Sequence, residues 1–188
     1  LTNAYFASKI DCPGKPADHF GHLMTQTALN PEGAFEPFHV DQVPLERFSK
    51  GEHFGIAYRH LSSFGGGSQI SISLETLEPG RQANPKHYHL LEEEHILVIE
   101  GELCLSLGTR EYLMGPNQYV CFPAGQAVGH AISNRSHANC LYLVFGNPQA
   151  ADVAVFPETG RVDVKLLKRG FRGDQMDYWE NIDIGAPT

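Results

Sequence analysis

Gly80-Arg81-Gln82-Ala83-Asn84-Pro85-Lys86-His87-Tyr88-His89-Leu90-Leu91-Glu92-Glu93-Glu94-His95-Ile96-Leu97-Val98-Ile99-Glu100-Gly101 is the stretch that decides the architecture, because two of its histidines stand two apart rather than four. In an extended strand the side chains at i and i+2 leave the same face, so His87 and His89 point together while Tyr88 turns away. A helix that aimed two histidines at one ion would space them four apart. Glu94 follows five positions after His89, Gly101 closes the next turn, and His130 lies just beyond a Pro123-Ala124-Gly125 turn. Imidazole nitrogen and carboxylate oxygen suit a divalent ion at roughly 2.0–2.2 Å. Three histidines and one glutamate would leave open positions on a six-coordinate ion, where substrates bind and react.

Outward from this stretch the chain reads as short apolar runs bounded by turn residues. Phe54–Ser62 is followed by Gly65-Gly66-Gly67 and then by Gln69–Leu77. Within the latter, Ile70 to Leu77 alternates apolar and polar residues, the mark of a strand with one buried face. Further strands are expected at His87–Leu90, His95–Ile99, Glu102–Leu107, Glu111–Leu113, Tyr119–Phe122, His130–Ser133 and Cys140–Phe145. So many strands at short spacing indicate an all-β sandwich or barrel. Helix is expected only as a turn or two around Pro44–Phe48. Residues 1–46, broken by Pro13, Pro16, Pro31 and Pro37, read as an N-terminal arm, with His19 and His22 solvated in it. The barrel is expected over 47–150 and a C-terminal extension over 151–188. Val153–Phe156 and Val162–Leu167 in that extension fit two strands or an extended tail, and Trp179 is expected to pack the tail onto the barrel.

The spacing resembles the cupin superfamily, whose first motif is G-x5-H-x-H-x3,4-E-x6-G and whose second is G-x5-P-x-G-x2-H-x3-N. Residues 80–101 follow the first, with six residues between Gly80 and His87. Gly115, Pro123, Gly125, His130 and Asn134 follow the second, with seven residues before Pro123 and four before His130. The longer loop is similar to that of a bacterial subgroup of small single-domain cupins. The resemblance implies a double-stranded β-helix, or jelly-roll barrel, with His87, His89, Glu94 and His130 holding one divalent ion (Zn, Fe, Mn or Ni) inside it. Glu92 and Glu93 are rivals of Glu94: the shorter gap that the motif also permits would select Glu93, and the six residues before Gly101 favour Glu94. The resemblance also implies a homodimer.

Bulk properties exclude some functions. Fourteen basic against 22 acidic residues give a net charge of −8, which argues against binding a phosphate backbone. No apolar run approaches the roughly 20 residues of a membrane span. The start, Leu1-Thr2-Asn3-Ala4, shows no secretory signal, and Cys12, Cys104, Cys121 and Cys140 are scattered, so reduced thiols in a cytoplasmic protein are expected. Cys104 and Cys121 read as small buried residues on strands.

By alternation Ile96 and Val98 share the side of Glu94, Ile132 shares that of His130, and His95 turns outward. The wall around the ion is therefore expected to be apolar, with Tyr58, Arg59, Gln69, Tyr119 and Phe122 as candidates for a polar or aromatic contact. His53, His60 and His137 lack partners at ligand spacing. No general acid or base stands out. The expectation is a divalent-metal-binding cupin that acts as an enzyme, an oxidoreductase, lyase or isomerase, on a small carboxylate, sugar or dioxygenase substrate. The alternative is a metal-loaded module that binds or senses a small molecule without turning it over.

Overall fold

The computed structural model describes residues 27–173 and residue 180. Cys12, His19, His22 and Trp179, and all of the arm before residue 27, lie outside the described residues. The strands are β1 (Glu46–Lys50), β2 (Phe54–His60), β3 (Ser71–Leu77), β4 (Tyr88–His89), β5 (Glu94–Glu100), β6 (Leu103–Leu107), β7 (Arg110–Met114), β8 (Tyr119–Phe122), β9 (His130–Ser133), β10 (Cys140–Gly146), β11 (Val153–Phe156), β12 (Arg161–Val164) and β13 (Arg169–Arg172). They form a six-stranded sheet in the order β1-β2-β3-β10-β5-β8, a three-stranded sheet β7-β6-β9 and a four-stranded sheet β13-β12-β11-β4. The result is the expected all-β double-stranded β-helix.

Strand alternation builds one core between the layers. In β10 every second residue is buried, so Cys140, Tyr142 and Val144 enter the interior while Leu141, Leu143 and Phe145 turn out. Ile56 and Tyr58 of β2, Leu77 of β3, Ile96 and Val98 of β5, Leu103 and Leu105 of β6 and Ile132 of β9 pack with them in one cluster. Register then sorts the interior into two ends. Cys140 pairs with Leu77 at one end, and Gly146 stands between Ser71 and Glu94 at the other.

Two close approaches demand glycine. Gly101 turns from β5 to β6 at φ +79°, and a Cβ there would lie 2.5 Å from the Asn139 carbonyl oxygen. At Gly146 a Cβ would run into the Glu93 carbonyl. Asn134 is fully buried and fastens the turn after β9, its side-chain amide donating to the carbonyls of Leu77 and Ala138, each at 2.7 Å.

Several elements differ from expectation. Pro44–Phe48 is not helical; Glu46–Lys50 is a strand running antiparallel to β2, with Glu46 opposite Tyr58 and Lys50 opposite Phe54. Only Phe48 in it is half-buried, so a helix would have had no apolar stripe to bury, whereas the ladder satisfies its backbone. The expected strand Phe54–Ser62 stops at His60 and closes in a helical turn, Leu61–Phe64. Val162–Leu167 is likewise split: β12 ends at Val164, and a 3-10 turn with Lys168 at φ +51° reverses the chain into the wholly exposed edge strand β13. Among the described residues no helix is long and apolar enough to cross a membrane.

Candidate metal centre

His87, His89, Glu94 and His130 are all buried. Backbone pairing brings them together. His87 and His130 exchange both hydrogen bonds of an antiparallel bridge, at 3.0 and 2.8 Å, although 43 positions separate them. His89 pairs with Ala154 of β11, and the Gly125 amide donates to its carbonyl at 2.9 Å, which folds the Pro-x-Gly turn against it. Glu94, opposite Phe122, opens β5 pointing inward. Glu93 turns outward, with its side chain 46% exposed.

The donor atoms converge. His87 Nε2 and His89 Nε2 are 3.1 Å apart, and Glu94 Oε2 lies 3.8 Å from His89 Nε2 and 3.4 Å from His130 Nε2. His87, His89 and Glu94 offer donors within 4.8 Å of one another; His130 joins that group through Glu94. Its ring stacks on Phe122 at 3.7 Å, and its Nδ1 is buried without a hydrogen-bond partner among the described residues.

Outer partners fix the histidine tautomers. His87 Nδ1 sits 2.8 Å from the Pro85 carbonyl, which can only accept, so Nδ1 carries the proton. His89 Nδ1 sits 2.6 Å from Asp152 Oδ2. Burial works against the charge on Asp152, but the bond from His89 and the amides of Leu91 and Glu92 bring its pKa down to about 2, so it too only accepts. Both Nε2 atoms therefore present lone pairs to each other across 3.1 Å. A proton is a poor remedy, because burial, together with neighbouring His130 and His89, pushes the His87 pKa down to about 3. Burial would raise Glu94, yet its carboxyl lies well below the usual range, and His130 and His89 are among the groups that lower it. Two opposed lone pairs beside a carboxylate suit a divalent cation, and the residues present fit one.

Three further carboxylates stand near this centre, and two of them, Asp152 and Glu75, had no sequence signal of their own. Asp152 lies 63 positions from His89, in a loop past the expected barrel. Glu92, 1% exposed, bonds the Gln149 amide at 2.6 Å and the Lys165 ammonium. Glu75 points inward from β3 and accepts the Tyr142 hydroxyl at 2.8 Å; burial and then Glu75 push that phenol well above its ordinary pKa. A narrow chamber of about 10 Å³ is lined by Glu75, His87, Glu94 and His130 together with Ile96 and Ile132. At the same end of the barrel, a cleft of about 500 Å³ is lined by His60, Ser62, Ser68, Ser71, Gln149 and Lys165 among others.

The remaining candidates are spread out. Ile96, Val98 and Ile132 do face inward, as does Phe122. Tyr58 is buried and bonds Glu46, Arg59 reaches the Val43 carbonyl, and Gln69 and Tyr119 are exposed. His53 and His137 are exposed; His60 meets Ser73 Oγ at 2.9 Å. His95 turns outward and pairs with Glu93 at 3.1 Å. Cys104 and Cys140 are buried free thiols, while Cys121 is only half-buried.

The sequence profile of the cupin domain matches residues 73–146, from Ser73 beside Glu75 to the glycine opposite Glu94. This stretch of the chain is a cupin domain. This cupin is similar to a Silicibacter pomeroyi structure described as a sugar phosphate isomerase of the cupin superfamily, at 29% identity, covering 68% of this chain and 85% of that one with a TM-score of 0.61. An Acidithiobacillus ferrooxidans protein to which sugar phosphate isomerase activity has been ascribed matches at 26% identity, covering 62% and 74% of the two chains, with a TM-score of 0.59. A Thermotoga maritima protein predicted to be an oxalate decarboxylase shares the fold, at 18% identity over 61% of this chain and 100% of that one, with a TM-score of 0.52. No curated protein matches the sequence.

Proposed function

We propose that this cupin is a metal-dependent enzyme that moves a proton on a small hydroxylated substrate of the sugar type. The observation that carries the reading is Glu75, a buried carboxylate that lines the same chamber as His87, Glu94 and His130. A divalent ion held by His87, His89, Glu94 and His130 supplies Lewis acidity toward a substrate oxygen. Asp152 holds His89 in the tautomer that binds it. Tyr142 keeps its proton and donates it in a hydrogen bond to Glu75, which orients that carboxylate as the base. Glu75 then takes a proton from the hydroxyl-bearing carbon beside a substrate carbonyl and returns it to the former carbonyl carbon, while the hydroxyl proton passes to the former carbonyl oxygen.

Substrate class follows from the lining. One face of β3 runs from Ser71 in the cleft, through Ser73, to Glu75 in the chamber. The hydroxyls of Ser62, Ser68 and Ser71 suit a polyol, and two similar structures are described as sugar phosphate isomerases. The test is exchange of solvent deuterium into aldose and ketose phosphates, followed by NMR with the metal-loaded protein. Glu75→Gln should retain the metal and slow exchange by at least about 100-fold. Equal exchange by both proteins would refute the assignment of Glu75.

A second reading, a metal-loaded binding module, is favoured by the chamber volume of about 10 Å³, room for roughly one water. It predicts a thermal shift with sugar phosphates and no exchange at all.

A further inference from the structure

On the outer face of the sheet that bears Glu94 lies a second group of donors, Glu93, His95 and Cys121. We propose that these three residues form a separate cation site on the outside of the barrel, one that takes an ion of the zinc class. His95 and Cys121 are direct partners in the β5–β8 ladder, so their side chains leave the same face. Glu93 Oε1 lies 3.1 Å from His95 Nε2, and the donor atoms of all three residues fall within 4.8 Å of one another.

His95 and Glu93 are held before any ion arrives. The His95 ring stacks on Phe145 at 4.9 Å with an interplanar angle of 10°, and its Nδ1 meets the Tyr119 hydroxyl at 2.6 Å. That contact turns Nε2 toward Glu93, as Asp152 turns Nε2 of His89 toward the inner centre. The Glu93 amide donates to Asn147 Oδ1 at 2.7 Å, and the absence of a side chain at Gly146 lets the Glu93 carbonyl pack against it. All three residues are half-buried, so the group is shielded yet open to an ion from solvent.

Chemistry separates the two sites. The inner one offers only nitrogen and oxygen, whereas the outer one adds a thiol. Sulfur, imidazole and carboxylate together suit zinc in a tetrahedron whose fourth position is left for water. The ordinary alternative is a surface ion pair between Glu93 and His95 beside an uninvolved thiol.

Cobalt(II) distinguishes these cases, because only bonding to a thiolate gives a sulfur-to-cobalt charge-transfer band in the near ultraviolet. The full chain, stripped of metal and titrated with cobalt, should develop that band. Cys121→Ser should abolish it and lower the bound cobalt by one equivalent, and Glu93→Gln should weaken it. In His89→Ala the band should persist, which keeps this outcome independent of the inner centre. Absence of the band in the folded wild-type protein, or equal cobalt content in wild type and Cys121→Ser, overturns the proposal.

Discussion

At one end of the barrel the inward positions of β3, β5 and β10 carry Glu75, Glu94 and Val144; at the other end the same strands carry Leu77, Val98 and Cys140. The second set, with Leu103 and Met114, is apolar and nearly or wholly removed from water. Burying a large aliphatic side chain contributes about 1.5–3 kcal/mol, whereas burying a carboxylate or an imidazole costs free energy unless it is paired. The apolar end therefore supplies the stability that lets the polar end hold four buried titratable groups around one point. A single pleated sheet separates the two tasks by distance along its strands.

Protons should divide the two ends most sharply. At the polar end His87 titrates at about 3 in the fold against an ordinary 6.5, so between those values the unfolded chain binds the extra proton. The stability from keeping His87 neutral is complete above 6.5 and is lost as pH falls toward 3; Asp152, at about 2 against 3.8, adds to the loss below 3.8. At the apolar end burial pushes the Cys140 thiol up to about 11 from 9.0, so its contribution is complete below 9 and is lost as pH rises toward 11. Tyr58, raised to about 12, extends the alkaline loss. Melting temperatures of chelator-treated protein across pH should fall on both sides. Cys140→Ala should flatten the alkaline limb alone; a change in the acid limb would mean that the ends are coupled.

The next effect is confined to the apolar end. Leu103→Ala empties a position with no exposure and should destabilise the protein by about 2–5 kcal/mol in urea unfolding. Bound metal per folded chain should not change, because Leu103 pairs with Met114, away from every candidate ligand. Loss of metal from the folded variant would break the separation.

These two ends were unequally legible in the sequence. The His-x-His spacing, the six residues to Gly101 and the alternating strands point to the barrel and to four inward residues, because strand pleat converts spacing directly into direction. Alternation does not say which face is inside. In Ile70–Leu77 the apolar Ile70 is 56% exposed, while Ser73 and Glu75 are buried, since the barrel interior here is polar. Glu75 was hidden by that inversion. Asp152 was hidden for a different reason: β11 pairs with β4 over a long sequence separation, and nothing local to residue 152 announces His89. The strand at Glu46–Lys50 exists because β2 offers a ladder, a tertiary cause that local composition does not encode.

Asp152→Asn gives the smallest expected change and the most specific one. The carboxylate accepts the His89 Nδ1 proton and also, through Oδ1, the amides of Leu91 and Glu92. Asparagine keeps the oxygen that those amides need but turns an NH₂ group toward Nδ1. Two donors then face each other, so His89 relieves the clash by moving its proton to Nε2, the atom aimed at His87. The backbone contacts survive while the Nε2 lone pair of the proposed metal site is lost, and the outer-partner rule sets the penalty at 10–100-fold in metal affinity, about 1.4–2.7 kcal/mol. Competition with a chromophoric chelator measures that affinity, and urea unfolding of the metal-free variant checks that stability has moved less than in Leu103→Ala. Unchanged affinity would mean that His89 does not need Asp152 to present Nε2, and that the orientation of the ring comes from β4 alone.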